Sequence, residues 1–200
     1  MVEGYVPDFS VVASVSETLQ TVLSKAVSKL DDPAPTAEIH DLQGNIPTTP
    51  ARLTIFLFEV SEDPSARNKP RVREVSGPNV TLTKPPMALV LRYLITAWGG
   101  DRLTEHRLLA RALQVLYDGA IVSGPDLQGV SLKNSTEVLK ITLAPLTLEE
   151  RTRVWFALAR PYRLSLSYEV RVVNLDSETT ESRRPVSSQH IGAGFGGVAS

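Results

Sequence analysis

The residues able to do chemistry are scattered, and their spacing fits few mechanisms. Histidines at 40, 106 and 190 show neither H-x-x-x-H nor H-E-x-x-H spacing, so a metal site would have to be assembled from three unrelated segments. The chain has no cysteine, which removes thiolate ligands, thiol nucleophiles and disulfides from consideration. The acidic pairs Asp31-Asp32, Glu62-Asp63 and Glu149-Glu150 could in principle divide general acid and general base work. The first and third fall at expected helix ends, where such residues cap or terminate instead. No serine stands in a G-x-S-x-G turn, and no Walker A lysine is present. Gly192-Ala193-Gly194-Phe195-Gly196-Gly197 matches G-x-G-x-x-G. A dinucleotide site would need a strand before that motif, and a helix and an acid after it, and the sequence after Gly197 holds neither. Asn134-Ser135-Thr136 is a glycosylation sequon, expected to be silent without a secretory signal. Arg183-Arg184 is too small a basic cluster for nucleic acid. The expectation is no catalytic, cofactor or metal site, and no small-molecule substrate. One charge stands out, Arg92 inside the apolar run Met87 to Trp98, where a guanidinium must be paired internally or lie in an interface.

Composition narrows the class further. Two hundred residues suit one domain with a possible tail, long enough to bury a core without staples. Hydrophobic residues make up 42% and charged residues 22%, an ordinary globular balance. A formal net charge of −1 argues against a nucleic-acid partner. Met1-Val2-Glu3-Gly4-Tyr5 lacks the features of a signal peptide. The run Met87 to Trp98 is too short and too charged to span a bilayer, so no membrane association is expected.

The elements that must position these residues can be read from periodicity. Apolar residues at 9, 12, 15, 19, 22, 23, 26, 27 and 30 predict an amphipathic helix over 9–30, capped by Asp8 or Ser10 and ended by Asp31-Asp32-Pro33. Four prolines across 31–50 predict an extended connector. Residues 52–60 read as a strand. A long excursion over 61–86 carries five prolines, and Val72–Val75 with Val80–Thr83 could form a hairpin inside it. Residues 87–98 predict a central strand, and Asp101 caps a helix from 102 to 117 that buries Leu103, Leu109, Leu113, Leu116 and Tyr117. Residues 120–136 read as loop and 138–144 as a short strand. Thr147 and Glu150 form a capping box for a helix through Trp155. Residues 162–173 alternate strictly, with Tyr162, Leu164, Leu166, Tyr168, Val170 and Val172 on one face. Arg163, Ser165, Ser167, Glu169 and Arg171 form the other, which is expected to be solvated or to form an interface. The polar remainder predicts a flexible C-terminal tail. The fold class expected is α+β: one domain, residues 1–175, with a mainly antiparallel or mixed sheet and flanking helices, then the tail 176–200.

Four segments, taken in order, resemble the tail-terminator or cap proteins of contractile injection systems of the virulence-cassette and antifeeding-prophage type. They are Phe56-Leu57-Phe58-Glu59-Val60-Ser61-Glu62-Asp63-Pro64 with Arg67-Asn68; Pro85-Pro86-Met87-Ala88-Leu89 running into Arg92-Tyr93-Leu94-Ile95-Thr96-Ala97-Trp98; Glu105-His106-Arg107-Leu108-Leu109 through Tyr117-Asp118; and Trp155 with Pro161 to Tyr168. The resemblance spans about residues 9 to 175. It implies a phage tail-terminator-like fold and a structural, non-enzymatic cap. Such a cap is a homo-hexameric ring on the distal end of the inner tube and sheath that stops their polymerisation. The implied partners are further copies of the chain, the inner-tube protein and the sheath protein. Assembly would be cytoplasmic in a bacterium, with possible release in an extracellular particle. Arg67, Asn68, Pro85, Pro86, Arg92, Arg163 and Arg171 are the expected interface residues, while Trp98 and Tyr162 are expected in the core. Two other readings are a different tail component, such as a sheath-end adaptor or baseplate connector, and a soluble α+β enzyme or ligand-binding domain.

Overall fold

The computed structural model describes residues 9–30, 33–67, 70–76, 79–175 and 180–183. In chain order the elements are α1 (Val11–Val27), β1 (Thr36–Ile39), β2 (Arg52–Glu62), β3 (Val72–Ser76), β4 (Asn79–Thr83), β5 (Met87–Trp98), α2 (Arg102–Asp118), β6 (Ile121–Ser123), β7 (Val138–Leu143), α3 (Leu148–Ala157), β8 (Ser165–Leu175) and β9 (Thr180–Arg183). Two compact units emerge: Met1–Asn68 with Pro86–Asp176, and Lys69–Pro85 with Ser177–Ser200.

The larger unit is built on a six-stranded mixed sheet in the order β1-β2-β5-β8-β7-β6. Its centre is β5, antiparallel to β2 on one side and to β8 on the other. That position explains why β5 is almost wholly apolar: a strand flanked on both edges and covered on both faces has little surface for polar side chains. β1 is the one parallel strand, paired with Arg52–Ile55 of β2, and it lies within the connector expected to be merely extended.

Strand alternation divides the sheet into two faces. Leu53, Ile55, Leu91, Tyr93, Ile95, Tyr168, Val170 and Val172 point to the core shared with α1 and α2. Helix α1 contributes the stripe Val11, Val15, Leu19, Leu23 and Val27, all fully buried, and each such side chain contributes roughly 1.5–3 kcal/mol before ordering entropy is subtracted. Helix α1 therefore packs on its own sheet. Its polar residues fix it as well: Thr18 Oγ1 accepts the Gln128 N–H at 2.9 Å and Ser14 Oγ accepts that of Ser131 at 3.1 Å. Ser10 stands at the N-cap position without capping, and its hydroxyl bonds that of Ser131 instead.

The opposite face carries a smaller core of Leu42, Ile46, Leu94, Trp98 and Trp155. Helix α3 brings Trp155 to it and starts in the expected capping box, with Thr147 Oγ1 accepting the Glu150 N–H and the Glu150 carboxylate accepting that of Thr147.

Several details correct the sequence reading. Leu103 is 74% exposed and Tyr117 84% exposed, because α2 buries Glu105, Leu108, Leu109, Ala112 and Leu116. Those five follow the three-and-four spacing of one helical stripe, from which Leu103 and Tyr117 are rotated away. Strand β8 begins only at Ser165, leaving Tyr162 and Leu164 half-exposed. Its polar side is not solvated at this end: Ser165 and Ser167 are 3% and 4% exposed, since they are the register partners of Thr96 and Leu94 on the face that Trp155 covers. The stretch 120–136 contains β6 and a 3-10 turn at Gly124–Asp126.

In the smaller unit, β3 and β4 form the expected hairpin, and β9 pairs with β4 to give a three-stranded antiparallel sheet. Thr180–Arg183, expected to be part of a flexible tail, is thus a strand, and Arg71 pairs with Glu181 at 3.1 Å. Residues 184–200, including the glycine motif and His190, lie outside the described residues, as do Asp31, Asp32 and Asn68.

Tyr93 gives one expectation for the core. Its hydroxyl is buried against Ser16 Oγ at 2.9 Å, and burial pushes the phenol up to about 12 although the Ser16 bond pulls it down. The unfolded phenol titrates near 10, so this contribution to stability is complete below that value and is lost as pH rises through the folded one. The unfolding free energy from urea titrations should fall between pH 10 and 12 by an amount on the order of 2 kcal/mol. Tyr93→Phe should flatten that slope while leaving the share due to Tyr168, which burial pushes the same way.

Candidate interaction surfaces

Two clusters of charge lie on the α3 side of the sheet, both in the larger unit. The first is a ladder across three strands. Glu59, Arg92 and Glu169 occupy one rung of β2, β5 and β8. Arg92 Nη1 donates to Glu59 Oε2 at 3.2 Å, and its Nε is 3.6 Å from Glu169 Oε2. Arg171 extends the ladder, donating to Glu169 Oε1 at 2.8 Å and to Asp63 Oδ2 at 3.1 Å. A β-bulge between Leu57 and Glu59 makes the rung possible. Without it Phe58 would stand opposite Arg92 and Glu59 would turn to the helix side, because a one-residue slip inverts a strand.

Asp63 sits where β2 leaves the sheet. Its backbone N–H donates to the Ala88 carbonyl at 2.8 Å, and its Oδ1 accepts from Ser65 Oγ at 2.6 Å and Ser65 N–H at 2.9 Å. The Ser65 bonds first, and then the charge of Arg171, hold this carboxyl below the usual aspartate range. Such a turn locks the direction in which the chain departs toward residue 67. The ladder's energy is modest, since Glu59, Arg92 and Arg171 are partly solvated. Its geometry fixes register more than it adds stability.

The second cluster surrounds Trp98 at the far end of β5. The indole Nε1 donates to Thr54 Oγ1 at 2.9 Å. Arg163 lies over the ring at 4.2 Å and Arg160 at 5.8 Å. Glu105, at the start of α2, accepts from Arg102 Nη1 at 2.8 Å and also from Arg163 Nη2. Arg160 Nη2 bonds the Gly44 carbonyl. A cleft of about 170 Å3 opens here, lined in part by Trp98, Trp155 and these arginines.

The expected interface residues are therefore dispersed. Arg92 and Arg171 meet in the ladder, and Arg163 belongs to the Trp98 cluster. Arg67 is exposed and pairs with Glu62 at 3.0 Å. Pro85 and Pro86 are half-buried at the entry to β5. Trp98 is in the core as expected, whereas Tyr162 is 44% exposed. The sequence reading missed Glu105, Glu169 and Asp63 as partners, because pairing across strands depends on register and on the bulge. A signal existed in β8, where Glu169 and Arg171 share the polar side. His40 Nδ1 accepts the Leu42 N–H at 2.8 Å, a local turn contact, and His106 is exposed on α2. Among the described residues no group of three His, Asp or Glu side chains could hold a metal ion, and no helix is long and apolar enough to cross a membrane.

This fold has close counterparts. Residues 14–189 match the model of the Pvc16 N-terminal domain family. The structure is similar to the sheath/tube terminator, in its extended state, of the PVC extracellular contractile injection system, with a TM-score of 0.62 and 19% identity. It is also similar to the tube-terminating cap of the anti-feeding prophage, with a TM-score of 0.56 and 21% identity. In each case 94% of this chain is covered, and it spans 65% and 62% of the respective partners, just under two thirds of their lengths. At such identities the likeness is one of fold. Among curated proteins none is significantly similar. The family model covers the whole six-stranded sheet and all but the first turn of α1, and on that ground the chain belongs to the Pvc16 N-terminal domain family.

Proposed function

We propose that this chain is a structural terminator of a contractile tail, acting without catalysis or cofactor. The observation that carries the reading is the family match over residues 14–189, supported by a fold shared with two proteins described as a sheath/tube terminator and a tube-terminating cap. In this reading six copies form a ring on the distal end of the inner tube and sheath. Repeating one heterologous contact closes the ring, and the exposed face then offers no surface for the next tube or sheath ring. Assembly takes place in the bacterial cytoplasm, and the finished particle is released.

Unpaired strand edge is one physical means of such contact. Strand β1 covers only Arg52–Ile55 of β2, so among the described residues no strand pairs with the outer side of 56–62, and its backbone donors and acceptors are open to a partner strand. The excursion that follows, with Arg67, Asn68, Pro85 and Pro86, is the proposed contact element for tube or sheath. Arg92, Arg163 and Arg171 belong to the larger unit and are proposed to reach a neighbour at their solvated edges.

Co-sedimentation with preassembled tubes tests end binding. At a fixed mass of tube protein, shearing the tubes multiplies their ends, and capture of the chain should rise in proportion. Capture that follows tube mass regardless of length would place the chain on the tube wall and overturn the reading.

A further inference from the structure

His40 closes the turn by which the chain leaves β1. Its Nδ1 accepts the Leu42 N–H at 2.8 Å. A ring nitrogen that accepts carries no hydrogen, so this bond belongs to the neutral imidazole protonated on Nε2. Asp41 Oδ1 lies 3.4 Å from the same Nδ1 and offers it a partner of the opposite kind. The turn holds a residue in an uncommon state. Leu42 has φ +62°, the left-handed region that residues other than glycine enter at a cost. Its side chain is fully buried in the small core with Ile46, Leu94, Trp98 and Trp155. Two further bonds support the segment: Gln43 N–H donates to Asp41 Oδ1 at 2.8 Å, and Arg160 donates to the Gly44 carbonyl.

We infer that His40 is a proton-operated latch on the connector 41–46. When neutral it pins Leu42 in its turn; when protonated it lets Leu42 go and pairs with Asp41. A proton on Nδ1 sets a donor against the Leu42 N–H and turns that bond into a repulsion, while the Asp41 carboxylate becomes an acceptor of opposite charge. Leu42 then loses a bond that holds its backbone, and the connector opens more often from the face it shares with Trp98 and Trp155.

The charges around the imidazole are nearly balanced. The His40 N–H donates to the Ile55 carbonyl at 3.1 Å, continuing the pairing of β1 with β2. Alternation therefore places its side chain on the side of Glu38 and Arg52, which pair with each other at 3.1 Å. Phe56 of β2 and Val154, Trp155 and Leu158 of α3 and its end pack on the same small core, and none of them titrates. Arg52 and Arg160 oppose proton uptake, and Glu38 and Asp41 favour it. Among the described residues only Asp41 lies within ion-pair distance. The sign follows from the bond. Its contribution is complete where His40 is neutral and is lost as pH falls through the titration, which for a free imidazole is centred at about 6.5.

The test follows the 15N-labelled full chain by NMR from about pH 8 to about pH 5. Protonation of the His40 ring and hydrogen-exchange protection of the 42–46 amides are read in the same samples. Protection factors, corrected for the intrinsic pH dependence of exchange, should fall about tenfold at Leu42 as His40 takes up its proton. His40→Asn keeps an acceptor two residues before the Leu42 N–H but cannot titrate, so its turn should stay closed across the range. Asp41→Asn keeps an acceptor for Gln43 and removes the charge, and its release should move to lower pH. Leu42 protection that stays level while His40 protonates would overturn the latch. A pH dependence that survives in His40→Asn would assign the opening to another group and overturn it equally. A release unmoved in Asp41→Asn would overturn the part given to that carboxylate. The inference stands apart from the terminator reading, because it is measured on the isolated chain.

Discussion

Trp155→Ala should destabilise the larger unit by about 3–5 kcal/mol, the range for removing a fully buried aromatic side chain. Trp155 is the one fully buried residue of α3, and the core beneath it has only four other buried members. The neighbours Leu42 and Ile46 come from a connector with little secondary structure, so losing the indole removes what holds that connector and α3 to the sheet. Trp155→Phe should behave differently. It keeps most of the ring contact and deletes an N–H that has no partner, so its cost should stay within about 1 kcal/mol of wild type. Denaturant midpoints at unchanged m-value measure both. Equal, large losses in the two variants would mean that the indole N–H is satisfied after all.

Gly129→Ala should cost about 3 kcal/mol through two separate effects. Gly129 has φ +84°, and a Cβ there would lie 2.6 Å from the Cα of Ser14. That neighbour is the backbone of α1, which is clamped by Val11, Val15 and Leu19 and cannot yield without lifting from the sheet. Gly44→Ala is the control, since its φ is +68° but nothing lies within 4 Å of its Cβ position. Only the conformational penalty remains there, about 1 kcal/mol. Hydrogen exchange should show α1 amides losing protection in Gly129→Ala and keeping it in Gly44→Ala. Equal costs in the two variants would mean that α1 does not approach the 128–131 loop this closely.

Local signals were readable from the residues, and non-local ones were not. The limits of β5, the hairpin of β3 and β4, the Asp101 cap and the Thr147–Glu150 box each depend on residues a few positions apart, and each stands where the pattern puts it. The bulge that aligns Glu59 with Arg92 lies beside Phe58, which packs on the small core around Trp155, and periodicity within one strand cannot reveal a register shift. Ser165 and Ser167 look solvated in an alternating strand, yet a helix arriving from residues 148–157 covers them. Strand β9 has almost no apolar content, and its strand character comes from β4. For the site, Arg92 was marked by its apolar surroundings, whereas Glu105 and the unpartnered Trp155 nitrogen emerge only once α2, α3 and β5 are brought together. The resemblance to tail terminators was legible because it rests on the order of four segments, and family membership and fold agree with it.

The central claim is termination, and electron microscopy of particles assembled with and without this chain tests it most directly. Tube length and end shape are scored in both. Omission should give ragged ends and a broad distribution of lengths, and adding the purified chain back should restore uniform, closed ends. Particles of uniform length with closed ends in its absence would contradict the account and make the chain an accessory component of the tail.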